Sequence, residues 1–124
     1  MRRSRLLGAL VVDVTPNFKV ERIRDPRYVA DLHECPCCIP GCRRGPIHAH
    51  HLTCSPDAKA RGLKASDIWC LPLCLYHHTA LHAAGNERRW WETMGIDPIA
   101  FCRQYWKGWM ARVPGRNWWP GATD

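Results

Sequence analysis

The sequence predicts an α+β fold in which two short strands precede a group of helices. Its 124 residues are enough for one small domain with a modest core. Two β-leaning runs, "HAHHLTC" and "IWCLPLC", are separated by a polar loop, "SPDAKARGLKASD". From Tyr76 onward the pattern becomes helical, with Gly85 as a plausible stop. The order of these elements is therefore loop, strand, loop, strand, helix.

Prolines and glycines divide the rest of the chain. We assign residues 1–34 to a basic N-terminal arm or lead-in, because Pro16 and Pro26 break this segment into short pieces. Residues 35–112 hold the domain, which starts with a loop, "CPCCIPGCRRGPI", whose prolines and glycines exclude regular structure. Residues 113–124 form an irregular tail that contains two tryptophans.

Two further helices are predicted after Gly85. The segment "NERRWWETM" opens the first, and "DPIAFCRQYWKGWM" forms the second, with Asp97 as its N-cap and Pro98 at its first position. Tryptophans crowd this third of the chain. We expect those in the helices to anchor the core and those in the tail to dock on a partner. In chain order they are Trp90, Trp91, Trp106, Trp109, Trp118 and Trp119.

The charge balance favours a polyanionic partner, nucleic acid before an anionic membrane, since the formal net charge is +7 and the isoelectric point is near 9.2. The N-terminal "MRRSRLLGALVVDV" does not predict a signal peptide, because Asp13 ends its apolar run and no small-residue cleavage site follows. No segment reaches the roughly 18 apolar residues that span a bilayer. We therefore expect a cytoplasmic protein without a membrane partner, whose thiols stay reduced and available to metals.

Cysteine and histidine occur in the middle of the chain at spacings that suit metal ions. The chain has 8 Cys and 7 His, and six of the histidines lie between His48 and His82. On the predicted helix His78 and His82 share one face, whereas His77 points about 100° away. The C-x-x-H spacing of Cys74 and His77 suits a zinc knuckle. The helix is therefore predicted to serve two ions from neighbouring faces.

The partners of this knuckle come from the upstream cysteine-rich loop. Cys38 and Cys42 bracket a tight turn that can bring two thiolates together, and Cys35 with Cys38 offers the alternative C-x-x-C. Cys37 is a spare thiol beside them. The remaining cysteines are expected to pack as small apolar side chains; they are Cys54, Cys70 and Cys102.

His50 and His51 are adjacent on a predicted strand and so point to opposite faces. One can bind an ion together with His78 and His82, while the other turns towards a substrate water. Three neutral imidazoles leave coordination positions open, which a catalytic site needs and a structural site does not. The remaining two histidines receive no role, because a lone histidine is usually a surface or satisfied core residue; they are His33 and His48.

The segment "AHHL" followed by "SDIWCLPLCLYHHTALHAAGNERRWW" resembles the HNH endonucleases of the ββα-metal fold. It is particularly similar to short phage and prophage members, including the recombination-enhancing nucleases, over roughly residues 35–100. The resemblance implies a structural Zn²⁺ and a catalytic Mg²⁺ or Mn²⁺. It also implies DNA as the partner, with a recombination or phage protein as a further one, and a setting in the bacterial cytoplasm under phage or prophage encoding.

The resemblance also implies a role for each matching residue. His51 would be the general base, and His50 a ligand of the catalytic ion, which His78 and His82 would complete. The structural zinc would be bound by Cys38, Cys42, Cys74 and His77.

This sequence departs from the family in two places. Three residues separate the first two zinc ligands, whereas the family's usual pair is C-x-x-C, so Cys35 and Cys37 are alternative ligands. The Asn that gives the motif its middle letter is missing before the second strand. Asp67 lies near that place, where it either serves the catalytic site by orienting the loop or His51, or is a turn residue or cap.

The expected activity is hydrolysis of DNA phosphodiester bonds. His51 would take a proton from water, and the ion held by the other three histidines would neutralise the charge that develops on the phosphate. By resemblance, the products would carry 5′-phosphate and 3′-hydroxyl ends. Five basic residues flank the site and are expected to contact phosphates; they are Arg43, Arg44, Lys59, Arg61 and Lys64.

Two other classes of function fit parts of the sequence. A catalytically silent zinc-binding module that holds nucleic acid or a protein would need neither His51 nor an open metal site. A thiol oxidoreductase would use Cys35 and Cys38, but the chain lacks the βαβ setting of a thioredoxin-like protein. The endonuclease is favoured because it accounts for His51 and for the pair His78 and His82.

Overall fold

The computed structural model describes residues 22–57 and 65–122. In these ranges the chain forms four α-helices, one 3₁₀ turn and a sheet of two strands. The elements are α1 (Pro26–Leu32), β1 (Ile47–His51), the 3₁₀ turn (Asp67–Trp69), β2 (Cys70–Cys74), α2 (Leu75–Ala84), α3 (Glu87–Thr93) and α4 (Pro98–Met110). The predicted α+β class and the order strand, strand, helix are confirmed.

β1 and β2 pair in antiparallel fashion, with His51 opposite Cys70, and every residue of β2 is buried. Pro72 lies at the centre of β2. A proline fits there because, in the described ranges, β2 has a strand neighbour on one side alone. On β2 the Pro72 carbonyl accepts a hydrogen bond from the Cys38 N–H at 2.8 Å.

α2 follows β2 without a loop. Cys74 is both the last residue of β2 and the N-cap of α2, and its sulfur accepts a hydrogen bond from the His77 N–H at 3.4 Å. The helix ends before Gly85, whose φ of 79° lies in the left-handed region that glycine adopts without steric cost. The sequence placed the start of this helix at Tyr76, one residue late. The direct junction fixes the direction of α2 relative to the sheet.

α3 and α4 begin at the residues that the sequence indicated. The Asn86 side chain accepts a hydrogen bond from the Arg89 N–H, and the Asp97 side chain accepts two from N–H groups of the first turn of α4. Pro98 occupies the first position of α4, where its missing N–H leaves no helical bond unmade. Both predicted helix starts are confirmed.

α1 lies in the segment predicted as a lead-in. The Asp25 side chain caps it by accepting a hydrogen bond from the Tyr28 N–H, and Pro26 stands at its first position. Tyr28 and Leu32 are fully buried, and the Tyr28 ring packs against tryptophan rings of α4. The predicted lead-in therefore contributes a helix to the core, while residues 1–21 lie outside the described ranges.

The C-terminal tail packs against the core. Trp118 and Trp119 are half-buried against it, whereas their docking on a partner stays a prediction. A Cβ atom on Gly108 would lie 2.4 Å from the Trp118 carbonyl oxygen, so α4 requires a glycine where the tail crosses it. The helical tryptophans contribute to the core as predicted: Trp90, Trp91 and Trp109 are buried, and Trp106 is half-buried.

The described helices are short, and α4, the longest of them, has 13 residues. No helix in the described part of the chain combines the length and the apolar character needed to cross a membrane.

Candidate metal centres

Three thiols and one imidazole converge where the cysteine-rich loop meets the start of α2. Cys42 Sγ and Cys74 Sγ are 3.8 Å apart, and His77 Nδ1 lies 3.3 Å from Cys74 Sγ. Tetrahedral zinc with Zn–S bonds of about 2.3 Å separates its thiolates by roughly 3.8 Å, so this geometry fits a structural zinc of the Cys₃His type. The four ligand atoms lie within 4.8 Å of one another and belong to Cys37, Cys42, Cys74 and His77.

Cys37, and not the predicted Cys38, supplies the third thiol. The Cys38 N–H donates to a carbonyl at the centre of β2, and the Cys38 side chain is buried in the core. The neighbouring Cys37 then faces the helix, with its Sγ 3.6 Å from His77 Nδ1. The other alternative, Cys35, points away because its thiol donates to the Asp31 carbonyl at 3.5 Å. The predicted zinc ligand Cys38 is therefore corrected to Cys37.

Protonation of the thiols bears directly on metal binding at this cluster. Burial raises the pKa of Cys37 to about 12. Burial also acts on Cys74, but hydrogen bonds from the His77 N–H and from the neighbouring thiols hold its pKa below the ordinary value. Because a metal ion binds thiolates, Cys74 is the better prepared of the two, and binding releases the Cys37 proton.

A second cluster lies on the neighbouring face of α2 and consists of the imidazoles of His50, His78 and His82, whose ring nitrogens lie within 4.8 Å of one another. His78 Nε2 is 3.1 Å from His50 Nδ1 and 3.0 Å from His82 Nε2. Burial and the adjacent imidazoles lower the pKa of His78 to about 4, so this ring is neutral at physiological pH. The predicted trio is thus brought together and can hold one divalent ion with coordination positions left open.

Glu87 holds the His50 ring on the side opposite to the imidazole cluster. Its Oε2 lies 2.9 Å from His50 Nε2 and accepts a hydrogen bond from Trp91 Nε1 at 2.9 Å. Its Oε1 accepts hydrogen bonds from the Thr53 N–H at 3.0 Å and from the Thr53 hydroxyl at 2.7 Å. Burial raises the pKa of Glu87, but these hydrogen bonds and the electrostatic attraction of the His50 ring outweigh burial and lower it to about 2. An ionised carboxylate only accepts, so the His50 proton is on Nε2 and Nδ1 is left for an ion.

Sequence reasoning missed Glu87 and His48. Glu87 stands in the first turn of α3, where an acidic residue is already explained by the helix dipole, so no local signal marked it. His48 Nδ1 lies 2.9 Å from His78 Nδ1, the nitrogen of that ring which does not face the cluster. His48 and His50 are two positions apart on β1, and this period of two was a signal that could have placed both on one face.

His51 points away from the cluster, as predicted for a neighbour of His50 on a strand. Its Nε2 lies 2.7 Å from Oδ1 of the buried Asp67, whose Oδ2 accepts a hydrogen bond from the Asp25 N–H at 2.7 Å. Burial raises the pKa of Asp67, but the bonds from His51 and Asp25 bring it below the ordinary value. Asp67 therefore orients both a loop and His51. Because Asp67 occupies His51 Nε2, Nδ1 is the ring nitrogen left to take a proton. This Nδ1 lies 3.9 Å from Cys70 Sγ.

Two of the five basic residues predicted to contact DNA lie in the described ranges. Arg43 and Arg44 are exposed between the zinc cysteines and β1, and the Arg44 guanidinium lies 4.2 Å from the centroid of the Tyr76 ring. This loop therefore presents positive charge to solvent. The other three predicted contacts lie outside the described ranges; they are Lys59, Arg61 and Lys64.

Comparison with known protein families gives a match over most of the chain. The model of a family described as a protein of unknown function, DUF968, matches residues 15–107, a range that contains both clusters and the pair of His51 and Asp67. No curated protein and no solved structure matches the chain.

Proposed function

We propose that this chain, which belongs to the DUF968 family, is a metal-dependent endonuclease that hydrolyses DNA phosphodiester bonds. The observation that carries the proposal is the contrast between two adjacent residues of β1. His50 belongs to a cluster of three imidazoles, whereas His51 is paired with a buried carboxylate on the other side of the strand. A structural metal site requires no carboxylate-oriented histidine beside it. On the same ground we propose that β1, β2 and α2 form the ββα-metal core of an HNH nuclease.

The residues of the chain supply the base for this hydrolysis. His51 Nδ1 takes a proton from a water molecule, whose oxygen attacks the phosphorus atom while the bond from phosphorus to O3′ breaks. The Asp67 carboxylate holds the ring in one tautomer and stabilises the imidazolium that forms. The leaving O3′ takes a proton from solvent, so the products are a 5′-phosphate and a 3′-hydroxyl.

The imidazole cluster would hold the divalent ion of this centre, with His50 kept by Glu87 in the tautomer that binds it. When bound, such an ion neutralises the negative charge that develops on the phosphate. Of the two ions expected from the sequence, Mn²⁺ suits three imidazoles better than Mg²⁺, which prefers oxygen ligands and retains its water.

The Cys₃His cluster would hold a zinc ion with a structural role. It would join the cysteine-rich loop, through Cys37 and Cys42, to the junction of β2 and α2, through Cys74 and His77. Structural zinc sites contribute directly to folding. Because His77 is followed at once by His78, the zinc would also fix the helix that carries ligands of the second ion.

The test is cleavage of supercoiled plasmid and of single-stranded circular DNA by zinc-loaded protein with added Mn²⁺ or Mg²⁺. His51→Ala is compared with His33→Ala, which removes an exposed histidine at the end of α1. We expect wild type and His33→Ala to nick or cut DNA. His51→Ala should retain zinc and DNA affinity while its cleavage falls by about 10²- to 10⁴-fold.

Two results would contradict the proposal. Undiminished cleavage by His51→Ala would remove this residue as the base. Zinc in all three proteins without cleavage of either DNA would favour the catalytically silent zinc-binding module, for which the Cys₃His cluster alone is sufficient.

A further inference from the structure

Three depressions flank residues 36–45, the loop that carries the zinc cysteines, and successive depressions share lining residues. The first, of about 440 Å³, lies between this loop, α4 and the tail. The second, of about 330 Å³, shares Arg43 with the first. The third, of about 600 Å³, shares Arg44 and Tyr76 with the second and continues along α2. We take the three depressions together and name them the zinc-loop groove.

The zinc-loop groove carries positive charge. Arg43 and Arg44 line it, and no Asp or Glu among the described residues does so. Three thiolates with a bound zinc leave about one negative charge at its edge, which the two arginines outweigh. A depression beside α3 differs, because Glu92 and Asp97 line it. Of these surfaces, the zinc-loop groove is the one suited to a polyanion.

Aromatic rings line the zinc-loop groove at two separate places. Tyr76 is 60% exposed, and the Arg44 guanidinium stacks on its ring at 4.2 Å. Phe101 and Trp119, both half-buried, line the first depression. Nucleic-acid bases stack on aromatic rings and guanidinium planes, while the phosphates between them bind positive charge. A single strand offers both kinds of group, whereas a duplex keeps its bases paired and an acidic peptide has no bases to stack.

The zinc-loop groove adjoins the imidazole cluster. Thr79 lines the groove, and His82 follows three positions later, so the two side chains are neighbours on the surface of α2. We propose that the zinc-loop groove binds single-stranded DNA and leads it past the imidazole cluster. Cleavage of the bound strand rests on the function proposed above, whereas its binding does not.

The first experiment measures binding without catalysis. Zinc-loaded His51→Ala protein, with no added Mn²⁺ or Mg²⁺, is titrated into a fluorescein-labelled oligothymidine of about 15 nucleotides, within the site sizes of such grooves. Fluorescence anisotropy gives the affinity, which is compared with that for a duplex of equal length. Poly-glutamate is tested as a competitor. We expect the single strand to bind at least ~10-fold more tightly than the duplex, with weak competition by poly-glutamate.

Matched variants test where the strand binds. Tyr76→Ala should weaken binding of the single strand about 10-fold, whereas Met110→Ala, which removes another exposed apolar side chain, should not. Arg44→Ala should reduce the slope of log affinity against log salt by ~0.7, while Arg27→Ala, at an exposed arginine of α1, leaves the slope unchanged. Zinc content is measured for each variant. If Tyr76→Ala loses zinc, Arg44→Glu, at an exposed position, takes its place, and it should weaken binding of the single strand.

Three results would contradict binding of single-stranded DNA in the zinc-loop groove. They are a duplex that binds as tightly as the single strand, strong competition by poly-glutamate, and equal losses of affinity in the groove variants and the control variants. Failure of the nuclease proposal is read separately, from wild-type cleavage with Mn²⁺. If wild type cleaves, Tyr76→Ala should slow cleavage of single-stranded circles more than cleavage of supercoiled plasmid. If wild type cleaves no DNA but the expected binding pattern is observed, the groove binds single-stranded DNA and the nuclease proposal is wrong.

Discussion

His50 Nε2 lies 2.9 Å from Glu87 Oε2, although the two residues are 37 positions apart and both side chains are buried. The carboxylate cannot donate, so the imidazole gives its proton to this bond and keeps the lone pair of Nδ1 on the side of the imidazole cluster. A carboxylate partner also fixes the orientation of a metal-binding ring and raises its basicity. The pair therefore connects α3 to β1 and prepares His50 for an ion.

Glu87→Gln should weaken the binding of Mn²⁺ at the imidazole cluster by about 10- to 100-fold. The amide has the size of the carboxylate but can turn a donor towards Nε2, so His50 loses its fixed tautomer. Isothermal titration calorimetry of zinc-loaded protein measures the affinity. Glu92→Gln, at an exposed position of the same helix, is the control. Equal Mn²⁺ affinity in the two variants would show that Glu87 does not prepare the site.

Glu87 should also make stability depend on pH in the acid range. Its pKa is about 2 in the folded protein against an ordinary 4.5, so its contribution is complete above pH 4.5 and is lost as the pH falls towards 2. Roughly 3 kcal/mol at most depends on this difference. Urea unfolding of wild type and Glu87→Gln should give a stability difference that shrinks between about pH 5 and about pH 3. Parallel pH curves for the two proteins would contradict a lowered pKa.

The zinc ligands can be distinguished by a pair of neighbouring substitutions. Cys37→Ala should lose bound zinc and, with it, most of the folding free energy that a structural zinc supplies. Cys38→Ala should retain zinc and lose about 1 kcal/mol, because it removes only a small buried group from the core. Zinc content and Tm measure both effects. Retained zinc in Cys37→Ala together with lost zinc in Cys38→Ala would reverse the assignment.

Asp67→Asn should reduce the cleavage rate about 100-fold or more with little change in DNA affinity, since it removes the carboxylate that orients His51. The rate at saturating DNA separates this effect from a loss of binding. Asp57→Asn is the matched control, because Asp57 accepts hydrogen bonds from Ser55 and Ser66 and contacts no histidine in the described structure. A similar rate loss in both variants would mean that Asp67 only holds the loop.

Mn²⁺ should bind to the zinc-loaded protein at least ~10-fold more tightly than Mg²⁺, because all three side chains of the second cluster are imidazoles. Calorimetric titrations with each ion measure the ratio, and cleavage at limiting ion concentration should follow the same order. Tighter binding of Mg²⁺ would indicate that oxygen ligands, and not this cluster, hold the ion.

Much of the helical structure could be predicted because the ends of α2, α3 and α4 are marked by neighbouring residues. Gly85 ends one helix, and the side chains of Asn86 and Asp97 cap the next two. α1 was not predicted because a proline can either break a helix or occupy its first position. Pro26 was interpreted as a break, whereas behind the capping Asp25 it occupies the first position of a helix, where its fixed φ is favourable.

The members of the two clusters could be predicted where local spacing determines them, but not where contacts between distant parts of the chain do. The spacing of His78 and His82 places them on one helical face whatever surrounds the helix. The choice between Cys37 and Cys38 instead depends on the hydrogen bond from the Cys38 N–H to β2, a contact between distant parts of the chain. Glu87 joins His50 in the same way, through the packing of α3, and no spacing near either residue encodes it.

Because His77 serves one cluster while His78 and His82 serve the other, α2 cannot change in length up to His82, whereas residues other than these histidines can vary. A single residue inserted or deleted at its start would rotate all three imidazoles by about 100° relative to the sheet and the cysteine-rich loop. Neither ion would then have a complete set of ligands. An exchange of Thr79 or Ala83, both exposed, would leave the three rings where they are. Among natural relatives, insertions and deletions should therefore be absent between Leu75 and His82 even where residues other than the three histidines differ.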